Sequence, residues 1–148
     1  MTTDESVASQ LVKTLENGRI GFERAADRVE ESDRRDIGVK FRQFSMERGE
    51  LIAELEAIAA SYGDDVEARS TAAGVLHRGW MAVKDALTGA DVSAVVNTAE
   101  QGEDHALEAY RDALAEDISP EFRSVLARQM AVVQAAHDYV RDLKMAEA

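Results

Sequence analysis

The chain has 148 residues, 45% of them apolar, with one proline and nine glycines; that is enough for one domain with a buried core and excludes a disordered, fibrous or low-complexity chain. A formal net charge of −12, from 17 basic and 29 acidic residues, repels phosphate backbones and anionic lipid, so nucleic-acid and membrane-surface binding are excluded as default readings. The lack of cysteine removes disulfides, thiolate metal sites, iron–sulfur clusters and a cysteine nucleophile, and no apolar run approaches the ~20 residues of a membrane span.

Asp4 and Glu5 stand where a secretory leader would carry basic residues, which favours a cytoplasmic chain. From there a 3.6-residue apolar period runs through the whole sequence and predicts helices only, in five segments. The first spans about Asp4 to Glu31, with Val7, Leu11, Leu15, Gly18, Phe22, Ala25 and Val29 in one stripe. Ser32-Asp33 then reads as a break whose small polar residues suit the N-cap of the next helix. The second segment runs from about Arg34 to Tyr62, its stripe being Ile37, Phe41, Phe44, Arg48, Leu51, Leu55, Ile58 and Tyr62. Gly63 suits its C-terminal cap. The third spans about 66–88 and contains His77 and Trp80, which read as crossover-packing residues around Val75, Gly79 and Val83.

The fourth runs from about Val92 to Glu116, with Val92, Val96, Ala99, Glu103, Ala106, Leu107, Tyr110 and Leu114 on one face. Ser119-Pro120-Glu121 is a helix start, and the fifth segment continues to about Met145 with Val125, Gln129, Val132, Ala136, Val140 and Leu143 in line. Four of the segments are matched in length. The third must return the chain from the end of the second to the start of the fourth, so the fold class is all-α: one ferritin-like four-helix-bundle domain over 1–148 with a long helical crossover.

On a helical wheel three stripes are interrupted at their centres, by Arg48, Glu103 and Gln129, while the first helix has Gly18 at the matching height. A buried charge must be paired. The expected arrangement is a polar core in which Arg48 pairs with Glu103 and Gln129 satisfies what remains. The competing expectation is a metal site. Di-metal bundles take a Glu-x-x-His pair from each of two helices, and no Glu-x-x-His occurs here: Gly74, Gly102 and Gln134 stand three residues before His77, His105 and His137. A reduced site of Glu100, Glu103 and His137 is the metal candidate that remains, and an inward Arg48 would oppose a dication there. Nothing resembles a nucleophile elbow or a glycine-rich phosphate loop, so no catalytic residue is assigned.

Gly21-Phe22, Ala25-Ala26, Arg48 with Glu54-Leu55, Leu76-His77-Arg78-Gly79-Trp80-Met81, Leu87-Thr88-Gly89, Gly102-Glu103-Asp104, Ala109-Tyr110, Arg128-Gln129 and His137-Asp138 together resemble an uncharacterised family of bacterial ferritin-like four-helix-bundle proteins classed as a domain of unknown function. The resemblance implies the fold and a bacterial source, and it transfers no catalytic or metal residue. The functional expectation is a non-catalytic structural or interaction protein without a cofactor, compatible with a stress-related role and with a homo-oligomer, its protein partner unidentified. The alternative is a ferritin-like binder of iron, manganese or zinc.

Overall fold

The computed structural model describes residues 3–61, 80 and 91–147. Among the described residues the regular elements are four helices and there is no strand: α1 (Thr3–Glu31), α2 (Arg35–Ser61), α3 (Val92–Leu114) and α4 (Pro120–Glu147). The chain is therefore an all-helical bundle. Every residue of the expected α1 stripe is buried, Gly18 included. In α4 the buried positions are Phe122, Leu126, Gln129, Val133, Ala136 and Val140, so the stripe is rotated from the expected one at Val125 and Val132, which stay partly exposed.

The turn between α1 and α2 differs from its sequence reading. The Asp33 N–H donates to Glu30 O and the Arg34 N–H to Val29 O, with Asp33 at φ 63°. That is a Schellman closure with an aspartate in the left-handed position, a conformation that Asp tolerates better than most residues. Ser32-Asp33 thus ends α1 rather than capping α2. The second hairpin closes as the sequence indicates. The Ser119 hydroxyl accepts from the Phe122 N–H (3.2 Å), and the same hydroxyl and the Ser119 N–H donate to the Asp4 carboxylate (2.7 and 2.9 Å). Arg123 donates to the carbonyl of Leu114, the last residue of α3, which has no intrahelical donor, and to that of Glu116 in the turn that follows.

Contacts at the two ends fix the helix directions. Asp4 places the start of α1 beside the start of α4. Glu147, at the end of α4, accepts from Arg34 at the α1–α2 turn (2.8 Å) and, through its carbonyl, from Ser93 at the start of α3 (3.0 Å). Hence α1 and α4 run one way, α2 and α3 the other, and α3 begins at the opposite end of the bundle from where α2 stops. The expected crossover over 66–88, with His77, Val75, Gly79 and Val83, lies outside the described residues, as do Tyr62 and Gly63; Trp80 alone is described. Its φ is 43°. A right-handed helix needs φ near −63°, so the helical reading is corrected at that position.

The core falls into two apolar clusters. One joins Leu11, Leu15, Leu55, Leu107, Tyr110 and Leu126; the other joins Phe22, Phe41, Phe44, Trp80, Val96 and Val140. Arg48 and Glu103 lie between them along the bundle.

Candidate functional site: the mid-bundle polar layer

Arg48 comes from the middle of α2 and Glu103 from the middle of α3. Their side chains are 1% and 0% exposed, and Nη2 of Arg48 donates to Oε2 of Glu103 at 2.5 Å. The guanidinium lies 5.2 Å from the centre of the Phe22 ring, a cation–π contact that partly replaces lost hydration. Its Nη1 is 2.8 Å from where a Cβ on Gly18 would stand. The glycine on α1 is what leaves room for the guanidinium beside that helix. Nη1 of Arg48 and Oε1 of Glu103 are buried and make no hydrogen bond among the described residues. Burial pushes the Glu103 carboxyl above the usual carboxylate range, against the opposing pull of the Arg48 charge.

Gln129 does not complete this pair, contrary to expectation. Its carbonyl accepts from the Tyr110 hydroxyl (2.8 Å), and its amide donates to Leu51 O (3.2 Å) and to Oε1 of Glu54 (2.7 Å). Arg128 donates to the other oxygen of Glu54. A second polar chain therefore runs from buried Tyr110 through Gln129 and Glu54 to the surface at Arg128. Burial raises the Tyr110 hydroxyl well above its ordinary value. For Glu54, burial acts upward, and the Gln129 amide and Arg128 outweigh it, leaving the carboxyl below its usual range.

Each of the three metal candidates already has a partner of its own. Glu100 accepts from Lys144 (2.7 Å), Glu103 from Arg48, and His137 Nε2 meets Asp104 at 2.7 Å while its Nδ1 lies 3.3 Å from Asp138. Among the described residues no three His, Asp or Glu side chains converge in a group that could hold a metal ion. The donor set does not fit a dication well, since the carboxylate at its centre already carries a guanidinium within hydrogen-bond distance.

Trp80 occupies a slot at the side of this layer. A Cβ on Gly21 of α1 would overlap its indole, and one on Gly102 of α3 would stand 2.5 Å from its Nε1. The ring meets Phe22 edge-on, with centroids 4.6 Å apart, and the Trp80 N–H donates to Oδ1 of Asn17 at 2.8 Å. Gly102 precedes Glu103, and Phe22 touches both Trp80 and Arg48, so the indole flanks the charge pair. The sequence alone does not mark Tyr110, Glu54 or Asp104 as polar partners. Tyr110 reads as one more stripe residue, and only its hydroxyl, aimed at the level of Gln129, distinguishes it. Glu54 stands three residues after buried Leu51 and one before buried Leu55, at the edge of the α2 stripe.

Among the described residues, four helices in two hairpins, closed over a buried Arg–Glu pair, define the class as an all-helical bundle. The chain belongs to the family described as "Domain of unknown function (DUF2383)", which matches residues 5–116. That stretch covers α1 to the end of α3, including Arg48, Trp80 and Glu103, and stops before Gln129. No curated protein matches the sequence. Among the described residues no helix is long and apolar enough to cross a membrane.

Proposed function

We propose that this chain is a non-catalytic structural or interaction protein, a ferritin-like bundle of bacterial and cytoplasmic origin that works through its helical surface. The observation that supports this reading is that the inward polar side chains are spent on one another. Arg48 holds Glu103, and Tyr110, Gln129, Glu54 and Arg128 hold each other. A layer of this kind favours one helix order over its alternatives, because any other register strands a buried charge. The helix directions described above are those of bundles with a long crossover, and they support the ferritin-like reading.

A second reading, a binder of iron, manganese or zinc through Glu100, Glu103 and His137, draws support from one atom, the unbonded buried Oε1 of Glu103. Metal analysis of the protein purified without chelator separates the two. The expected result is less than stoichiometric metal, together with ferrous oxidation no faster than in buffer. Stoichiometric iron, manganese or zinc lost in Glu103→Ala and His137→Ala would overturn the first reading.

A further inference from the structure

Most of the described surface balances its own charge. Glu16 pairs with Arg19, Asp27 and Glu30 with Arg42, Glu54 with Arg128, Glu100 with Lys144 and Asp104 with His137. Two grooves carry acid without such pairs: one has Glu47 and Glu50 beside Arg128, which already holds Glu54, and the other is lined by no lysine or arginine. The second is the one of interest. It runs between the N-terminal half of α1 and the C-terminal half of α3 and encloses about 510 Å³. Val7, Leu11 and Ala113 form its floor. His105, Glu108 and Asp112 line its α3 side and Glu116 lies just past the end of that helix, all four exposed, and among the described residues none of the three carboxylates has an ion-pair partner. The spacing of four places the Glu108 and Asp112 carboxylates about one helical turn apart, at roughly 5–6 Å. The α1 side, with Gln10 and Thr14, brings no charge.

We propose that this groove docks a basic amphipathic helix from a partner protein, an assignment that rests on the interaction-protein reading above. The charge argues for the occupant. A second copy of a chain with net charge −12 would bring more acid to an acidic wall, whereas lysine and arginine heads would neutralise it while their methylene stems cover the floor. The α1 side from Ser6 to Thr14 rises about 12 Å at 1.5 Å per residue, the length of two turns of a docked helix. Recognition of this size is weak to moderate and depends on salt.

The test uses the full chain and a labelled synthetic helix of about 18 residues, with a Leu/Ala ridge flanked by lysine and arginine, read by fluorescence anisotropy at low salt. The expected result is saturable one-to-one binding. Glu108→Lys with Asp112→Lys should weaken it by about tenfold, and Gln10→Trp, which fills the groove without changing charge, should weaken it comparably. Glu50→Lys on the exposed face of α2 makes half that change of charge, away from the groove, and should leave affinity within about twofold. The proposal is overturned if no binding occurs, if a scrambled peptide of the same composition binds equally, if Glu50→Lys weakens binding as much as the groove variants, or if Gln10→Trp has no effect. It is overturned in favour of a second copy if Glu108→Lys with Asp112→Lys changes the oligomeric mass. It is overturned in favour of the chain's own connection if Arg69→Ala with Arg78→Ala tightens peptide binding about tenfold. Metal content measured on the same preparation keeps the two failures apart: stoichiometric metal defeats the interaction-protein reading, whereas metal-free protein that ignores the peptide defeats only the groove.

Discussion

The two polar systems at the middle of the bundle solve the same problem in opposite ways. Arg48 and Glu103 are both charged types, both fully enclosed, and joined by one hydrogen bond, with one nitrogen and one oxygen left over. Tyr110 and Gln129 are neutral, and their chain of bonds leads outward through Glu54 to an exposed arginine. The first joins helices of the two different hairpins, α2 and α3, and its partners cannot find water if they separate locally. The second can exchange its outer partner for water at little cost. Enclosed charge therefore acts as a constraint on assembly, and the outward chain as a tolerant seam.

Five experiments would break or sharpen that contrast. The largest effect is expected from Glu103→Ala, which strands the Arg48 charge and should cost about 3–5 kcal/mol in urea unfolding. Adding Arg48→Met and using Leu at 103 should recover most of it. An unchanged unfolding midpoint for Glu103→Ala would mean that the pair is not enclosed. Next comes Gly18→Ala, whose methyl would stand 2.8 Å from Nη1 of Arg48; overpacking of this kind costs about 1–3 kcal/mol. The same glycine substitution should be close to neutral in the background that carries Arg48→Met. Tyr110→Phe leaves the Gln129 carbonyl with one bond fewer and should cost about 1 kcal/mol, and Arg128→Ala at the outer end less than about 1 kcal/mol.

The last experiment reads pH. Glu103 has a folded value raised above its ordinary 4.5, so its contribution is complete below that pH and is lost as pH rises through the folded value. The stability of the parent relative to Glu103→Gln should therefore fall as pH rises above about 4.5. Glu54 is lowered from the same 4.5, so its contribution is present above that pH and is lost as pH falls through the folded value. The parent should lose ground to Glu54→Gln on acidification. Matching slopes from paired denaturation series would remove the distinction between the two systems.

Much of this was legible in the sequence, for a physical reason. A buried ion in the middle of an apolar stripe is conspicuous on a helical wheel, and Arg48 and Glu103 could be placed at one height by counting from the turns. The α1 stripe and the Ser119 cap were equally plain, since each rests on local spacing. What the sequence did not reveal depends on rotation and reach. A shift of α4 by about one residue buries Val133 in place of Val132 and turns the Gln129 amide toward Leu51 and Glu54. His137 meets Asp104 rather than its neighbour Glu103 because α3 shows it the outer of two adjacent carboxylates. Ser32-Asp33 suits an N-cap as well as the Schellman turn that forms, because Ser and Asp serve both ends of helices and composition alone does not say which.

The glycine slot around Trp80 has a kinetic consequence. Each hairpin closes on a short turn and needs only near neighbours in sequence, whereas bringing α1 against α3 joins segments far apart along the chain, the slower kind of event in folding. The chain's one tryptophan sits where those two helices meet, packed between Gly21 and Gly102. Its emission is therefore a native gauge of hairpin docking. In a stopped-flow refolding experiment, far-ultraviolet circular dichroism would follow the growth of helix, and the indole would record the moment at which the two hairpins seat.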